Sequence, residues 1–469
     1  MRSYGRWTLR LLVLAAIAVA ACQAQPDQRL NRAVRHATHN GWIFVHLEGA
    51  PSMIGFQHGY LLAPEIQDAQ RVIALLLERD TGKNWKFFRE AAKNTLWPRV
   101  EAQYREELQG IAEGLNARGI LLDVWDVTAL NAWLEFSPYY FKWWEKQNPG
   151  SRPVPVTARE HCSAFVATGS YTKDGRPVIA HNAWTGYMEG ERWNIVFDIA
   201  PRQGHRILMD GFPGLIHSAD DFGINSAGIM ITETTISQFS GFDPNGIPEF
   251  VRARKAMQYS DSIDEFASIM KEGNNGGYAN DWLVADRKTG EIANLELGLK
   301  NVTLLRSKDG YFAGANFPVD AKLRREETTF DPNDASLSSN ARRVRWDQLM
   351  AENKGKIDVA AAQRFLSDHY DTFDKKIAPN ERTLCGHIDL SPRGLKPWQP
   401  EYSPAGAVQA KATDAAMAER MAFMASMGHS CGIHFKAAPH LRAHPEFAWQ
   451  KRYLRDLLSH PWTEFRAGR

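Results

Sequence analysis

Three prolines and one glycine fall within residues 148–158, NPGSRPVPVTA, and the chain changes texture across them. Such a run cannot continue a helix and reads as an extended, exposed connector. Upstream, GWIFVHLEG reads as a short strand ending at Gly49, and apolar residues then recur at helical spacing to about residue 147. The helical stretches are SMIGFQHGYLLAPEIQDAQRVIALLLERD, WKFFREAAKNTLWPRVEAQYREELQGIAEGLNARG and LDVWDVTALNAWLEFSPYYFKWW, the second broken near Pro98 and closed by Gly119. Downstream, SAFVATG, PVIAHNAW, WNIVFDIAP, HRILMDGF, GIMITETTI, NDWLVADRKTGEIANLEL and GYFAGANF are short β-rich runs separated by Asp-Gly, Pro-Gly and Lys-Thr-Gly turns. Helical patterns return at 251–272, 341–351, 358–370 and 411–427, with no internal repeat. This order predicts an α+β layered protein.

At 469 residues the chain can bury a large core, as two or three domains or as one large unit. Its 56 basic and 54 acidic residues leave a formal charge of +2, so nothing in the charge calls for nucleic acid. The first residues form a separate object. Arg2, Arg6 and Arg10 precede LLVLAAIAVAA, an apolar run too short to span a bilayer and of signal-peptide length. Val19-Ala20-Ala21-Cys22 resembles the bacterial lipoprotein box, with Cys22 the lipidated residue; simple cleavage after a small residue is the other reading. Both predict export to the bacterial periplasm; the lipoprotein reading adds the outer membrane, with membrane contact only through a lipid on Cys22.

Four cysteines are present: Cys22, Cys162, Cys385 and Cys431. An exported chain allows a disulfide, and Cys385 with Cys431 is the plausible pair, which leaves Cys162 as the odd thiol. No Cys-x-x-Cys motif is present. GHSCGIHF groups His429, Cys431 and His434 but lacks a second matching half, and His217, Asp220 and Asp221 fit no compact ligand spacing. No metal and no cofactor is expected, and the latter three residues read as a polar loop at a pocket rim.

Cys162 stands at the start of a strand, directly behind the connector. A thiol becomes a nucleophile when its thiolate is favoured or a base stands beside it. If the chain breaks before Cys162, the freed α-amine, which titrates near pH 8, can serve as base for its own thiol. Lys173-Asp174-Gly175 forms a turn, so the strand from Pro177 runs back antiparallel toward Cys162. A tight turn pairs Cys162 with about Thr185. If Gly169-Ser170-Tyr171 joins the loop, Asn182 comes opposite instead. His181 and Asn182 point to opposite faces in any register, and only one shares the face of the thiol.

The segments HCSAFVATGSYTKDGRPVIAHNAW, DGFPGLIHSADDFGINSAGIMITETTI, YANDWLVADRKTGEIANLELG and PAGAVQAKATDAAMA resemble the phospholipase B-like family in order and spacing. Its broader relatives are the isopenicillin-N acyltransferase and choloylglycine hydrolase families, and GFQHGYLLAPEI and YREELQGIAEGLNARG resemble the helical region of the acyltransferases. The resemblance covers about Gly49 to Lys436. It implies an N-terminal-nucleophile hydrolase fold, a four-layer αββα sandwich, divided into a leader (1–22), a helical segment with linker (23–161) and a catalytic region (162–469). It further implies autocatalytic cleavage of the His161–Cys162 bond, with Cys162 as nucleophile, His181 and Asn182 as polar site residues, and Asn280 as an oxyanion-hole amide. Asp281 is a candidate to orient the α-amine. Many relatives carry aspartate where this chain has Trp184; the phospholipase B-like branch is similar in carrying tryptophan.

The implied enzyme is an autoproteolytic amidohydrolase or acyltransferase acting on amide bonds of N-acylated small molecules or peptides. Phospholipid ester cleavage is the alternative, and a non-catalytic lipid- or peptide-binding envelope protein the competing class. Glu233 and Thr235, among apolar strand residues, are either interior structural groups or pocket residues. Arg342, Arg343 and Arg345 read as a solvated helix face, with Arg342 the residue able to meet an acidic substrate.

Overall fold

A computed structural model describes residues 27–149, 161–219 and 222–468. The leader with Cys22, most of the connector, Asp220 and Asp221 lie outside the described residues. Six strands concern the site: β1 (His161–Thr168), β2 (Val178–Gly186), β3 (Ile229–Thr235), β4 (Asn280–Asp286), β5 (Gly310–Gly314) and β6 (Ala405–Asp414). In one sheet the order is β5, β1, β2, β6, Ala422–Met427 and Thr463–Arg466, all neighbours antiparallel. A nine-stranded sheet packs against it, with β3 and β4 adjacent and interior. Ile43–Gly49 from the helical segment joins this larger sheet, parallel to Ile195–Pro201.

Alternation along β1 and β2 separates two cores. Ala164, Val166, Ile179 and Ala183 face the larger sheet. Phe165, Ala167, Val178 and Ala180 face the other way, onto Trp346, Leu349, Phe365 and Leu366. Those partners lie on helices Ser338–Glu352 and Val359–Leu366, which cover the six-stranded sheet. Helices Pro51–Leu61, Glu249–Tyr259 and Ile263–Lys271 cover the nine-stranded one. The chain therefore forms the four-layer αββα sandwich of α+β class. No helix among the described residues is long and apolar enough to cross a membrane.

The helical segment is built on one unusually close helix pair. Pro51–Leu61 carries Gly55 and Gly59, and Ala102–Ala117 carries Gly110 and Gly114. A Cβ on Gly59 would lie 2.0 Å from the carbonyl oxygen of Ile111, and one on Gly114 2.3 Å from that of Phe56. The backbones touch because neither helix has a side chain there. In an ordinary helix interior, Gly→Ala stabilises by about 1 kcal/mol. Here the sign is expected to reverse: Gly59→Ala must push the paired backbones apart, at a cost of roughly 1–3 kcal/mol. A lowered midpoint in thermal unfolding checks this, and an unchanged or raised midpoint contradicts it.

Candidate active site

The hairpin of β1 and β2 pairs Cys162 with Ala183, Ser163 with Asn182 and Ala164 with His181. Gly169–Tyr171 forms a 3₁₀ turn inside the loop, so the tight-turn register does not form, and the strand settles one residue from the other alternative. Directly paired residues share a face. Cys162, Ala183 and His181 thus point between the sheets, while Ser163, Asn182 and Trp184 point toward the helices. Of the two residues left open by the sequence, His181 accompanies the thiol. Asn182 does not: its Nδ2 donates to the carbonyls of Leu366 and Leu384, at 3.0 Å each.

Cys162 is buried, its Sγ 4.0 Å from Glu233 Oε1. Cys162 Sγ, a ring nitrogen of His181 and a carboxylate oxygen of Glu233 lie within 4.8 Å of one another. Glu233 Oε1 accepts from the Tyr278 hydroxyl at 3.0 Å. The Asn280 amide is satisfied with its nitrogen turned to Glu233, donating to Oε2 at 3.0 Å. Asn280 is therefore part of the thiol's surroundings, with its donor engaged by a carboxylate. Burial, reinforced by Lys411, pushes the His181 imidazole well below its ordinary value and keeps it neutral. Lys411 pairs with His181 across β6 and β2, and its Nζ donates to Asp210 Oδ2 at 2.9 Å, both groups fully buried.

The backbone of Cys162 is held on both sides. Its N–H donates to Asn316 Oδ1 at 3.0 Å, and its carbonyl accepts from Arg342 Nη1. Arg342 Nη1 also donates to Ser163 Oγ at 3.1 Å, and Nη2 to Asn316 Oδ1 at 2.9 Å and the Ala315 carbonyl at 3.2 Å. The guanidinium lies over the Trp184 ring, 4.4 Å from its centre. Burial pulls Arg342 down to about 9, opposed by Cys162, and leaves it charged at neutral pH. The expected solvated face is thus corrected for Arg342, four of whose polar contacts gather around the nucleophile. Its Nε donates to Ser338 Oγ at 3.0 Å. Ser338 lines a cavity of about 330 Å³ with Asp331, Asp334, Glu381, Arg382 and Arg393.

Asp281 does not meet the Cys162 nitrogen, whose partner is Asn316. Burial and the neighbouring Glu296 raise the Asp281 carboxyl well above its ordinary range. Thr235 contributes its carbonyl, which accepts from Asn316 Nδ2 at 2.8 Å. Sequence reasoning missed Asn316 and Tyr278. Asn316 follows β5, where Gly314 pairs with Ala164, so its backbone comes level with Cys162 at a φ of 62°. Asparagine tolerates that left-handed conformation better than most residues, and Gly-Ala-Asn after a strand was the available signal. His217 is buried beside Glu249, Nδ1 to Oε2 3.7 Å, rather than exposed at a rim. Cys385 and Cys431 are brought together, but as free thiols and not as the expected disulfide.

A family model described as Phospholipase B matches residues 75–322. An uncharacterized protein of Archaeoglobus fulgidus is 27% identical over 262 residues, covering 53% of this chain and 42% of that protein. A mouse protein named putative phospholipase B-like 2 is 24% identical over 330 residues, 60% of this chain and 53% of that one. The chain thus spans about half the length of these curated relatives. A crystal structure of a variant of conjugated bile acid hydrolase from Clostridium perfringens aligns at a TM-score of 0.34 and 13% identity, over 57% of this chain and 89% of that one.

Proposed function

The chain belongs to the phospholipase B family, and from that premise we propose that it is a cysteine hydrolase of the N-terminal-nucleophile type, matured by cleaving its own His161–Cys162 bond. The contact that carries the reading is the hydrogen bond from the Cys162 nitrogen to Asn316 Oδ1, 3.0 Å long. It supports a nitrogen that, once freed, is already oriented as a base beside Sγ. In maturation, Sγ adds to the His161 carbonyl carbon, the C–N bond breaks and the nitrogen takes the thiol proton. Water then hydrolyses the thioester, leaving a carboxylate on His161 and a free amine and thiol on Cys162.

In turnover the amine accepts the Sγ proton, the thiolate adds to the substrate carbonyl and the leaving nitrogen is protonated. Water releases the acyl group from sulfur. Asn280 is the amide for the developing oxyanion, a role worth about 3 kcal/mol, once Glu233 yields it. The proposed substrates are amides of N-acylated small molecules or peptides. Export, with lipid on Cys22 as the only membrane contact, completes the proposal.

Glu233 favours a second reading, in which the chain stays whole and the carboxylate 4.0 Å from Sγ draws off the thiol proton. N-terminal sequencing and intact-mass measurement on purified protein separate the two. Two fragments, the second beginning at Cys162, are expected. A whole but active chain would favour Glu233, and a whole, inactive one the non-catalytic binding protein.

A further inference from the structure

Behind Trp184 lies a second cluster that the proposed reaction leaves unused: His369, Cys385, His387 and Cys431. Three segments distant in sequence supply these side chains, and hydrogen bonds hold the segments together. Cys385 N donates to the Asp368 carbonyl at 3.1 Å, Ser430 Oγ to that of Leu366 at 2.7 Å, and Ser367 Oγ to that of Ser430 at 2.9 Å. One ligand-type atom from each of the four residues lies within 4.8 Å of the other three.

The spacing is informative. His387 Nε2 is 3.6 Å from Cys385 Sγ and 3.5 Å from Cys431 Sγ. Around a tetrahedral zinc ion, with Zn–S of about 2.3 Å and Zn–N of about 2.0–2.1 Å, neighbouring sulfur and nitrogen ligands stand about 3.5–3.6 Å apart. The other nitrogen of His387 faces Asp389, Nδ1 to Oδ1 3.8 Å, and Tyr187 donates to that carboxylate at 2.6 Å. A carboxylate behind an imidazole is the usual support of a metal-bound histidine. His387 is fully buried, and His369 Nε2 is a buried nitrogen with no hydrogen-bond partner among the described residues. A disulfide would use the two sulfurs and leave both imidazoles without a role.

We propose that His369, Cys385, His387 and Cys431 form a tetrahedral zinc site. Two thiolates and two imidazoles favour zinc over harder divalent ions. All four positions are filled by protein, so the metal is structural rather than catalytic. The sequence GHSCGIHF lacked a second half; the structure supplies it from TLCGHIDL and from His369. The site also bears on the nucleophile. Cys385 packs against Trp184, whose ring carries Arg342, and Arg342 holds the Cys162 carbonyl. Zinc fixes that shelf from behind, whether or not the chain is cut before Cys162.

The full chain, purified without chelator and exchanged into metal-free buffer, is expected to carry about one zinc per molecule by inductively coupled plasma mass spectrometry. A Cys385→Ser/Cys431→Ser chain should lose most of it, whereas Cys162→Ala should keep all, which separates this site from the Cys162, His181 and Glu233 group. A second readout needs no variant: exchange of zinc for Co²⁺ in the unaltered protein should give visible bands of a tetrahedral site and a thiolate-to-cobalt charge-transfer band. A chain without zinc, whether Cys385 and Cys431 are then free or joined, overturns the proposal. So does zinc retained in full by the double variant, or cobalt bound without a thiolate band.

Discussion

A Cys162→Ala chain is expected to run as a single unprocessed species and to lose acyl release by a factor of roughly 10⁴–10⁶, the scale seen when an enzyme loses its nucleophile. The substitution removes one sulfur from a buried site and adds nothing, so the cost to folding is only about 1 kcal/mol. Loss of both processing and turnover with the fold retained is therefore a chemical effect. Intact mass reports the first and hydrolysis of a fluorogenic N-acyl amide the second. Cys162→Ser should still be cut, more slowly, because its hydroxyl can make the same N-to-side-chain acyl shift. An alanine variant with the turnover of the parent chain would exclude Cys162 as nucleophile.

Arg342→Met is expected to have the next largest effect. The guanidinium is the donor for the Cys162 carbonyl, Ser163 Oγ, the Ala315 carbonyl and Asn316 Oδ1, all buried. Methionine fills much of the volume but leaves these acceptors without that donor, at a cost on the order of 3–5 kcal/mol. With about 2 cal/mol/K of unfolding entropy per residue, a chain of this size then melts about 3–5 °C lower. Activity should fall as well, by about 10²-fold, since a shift of the nucleophile by an ångström costs that much. Arg342→Lys keeps a charge but not the planar fork, and should restore little of either. Thermal melting and turnover measured together check this; a lysine variant equal to the parent would show that the charge alone matters.

Much of the architecture was legible because it follows from texture. Helical spacing marked the first segment, and turn residues the β-rich region. The register of β1 and β2 was not legible, and the reason is physical. Every residue of β2 is buried, so no polar face breaks the symmetry between one pairing and the next. The choice between His181 and Asn182 depended on that register. Arg342 was misread because helix Ser338–Glu352 is charged on its exposed side too. Arg343 lies over Phe317 and Arg345 pairs with Asp368, and nothing in the local sequence distinguishes them from the buried arginine. Asn316, far from Cys162 in sequence, becomes its neighbour only through the pairing of β5 with β1. Cys385 and Cys431 were expected as a disulfide but stand as free thiols; His387 lies two residues from Cys385, whereas His369 reaches the group from another segment.

The strand Ile43–Gly49, threaded beside Ile195–Pro201, sets the terms on which a cut protein could exist. Were the backbone opened before Cys162, the upstream piece would stay woven into the larger sheet as a separate polypeptide. First folding is unimolecular; reassembly after denaturation would need two molecules to meet, and would depend on dilution. Maturation would then exchange reversible folding for persistence, with the lifetime of the protein governed by how slowly it comes apart rather than by how readily it re-forms.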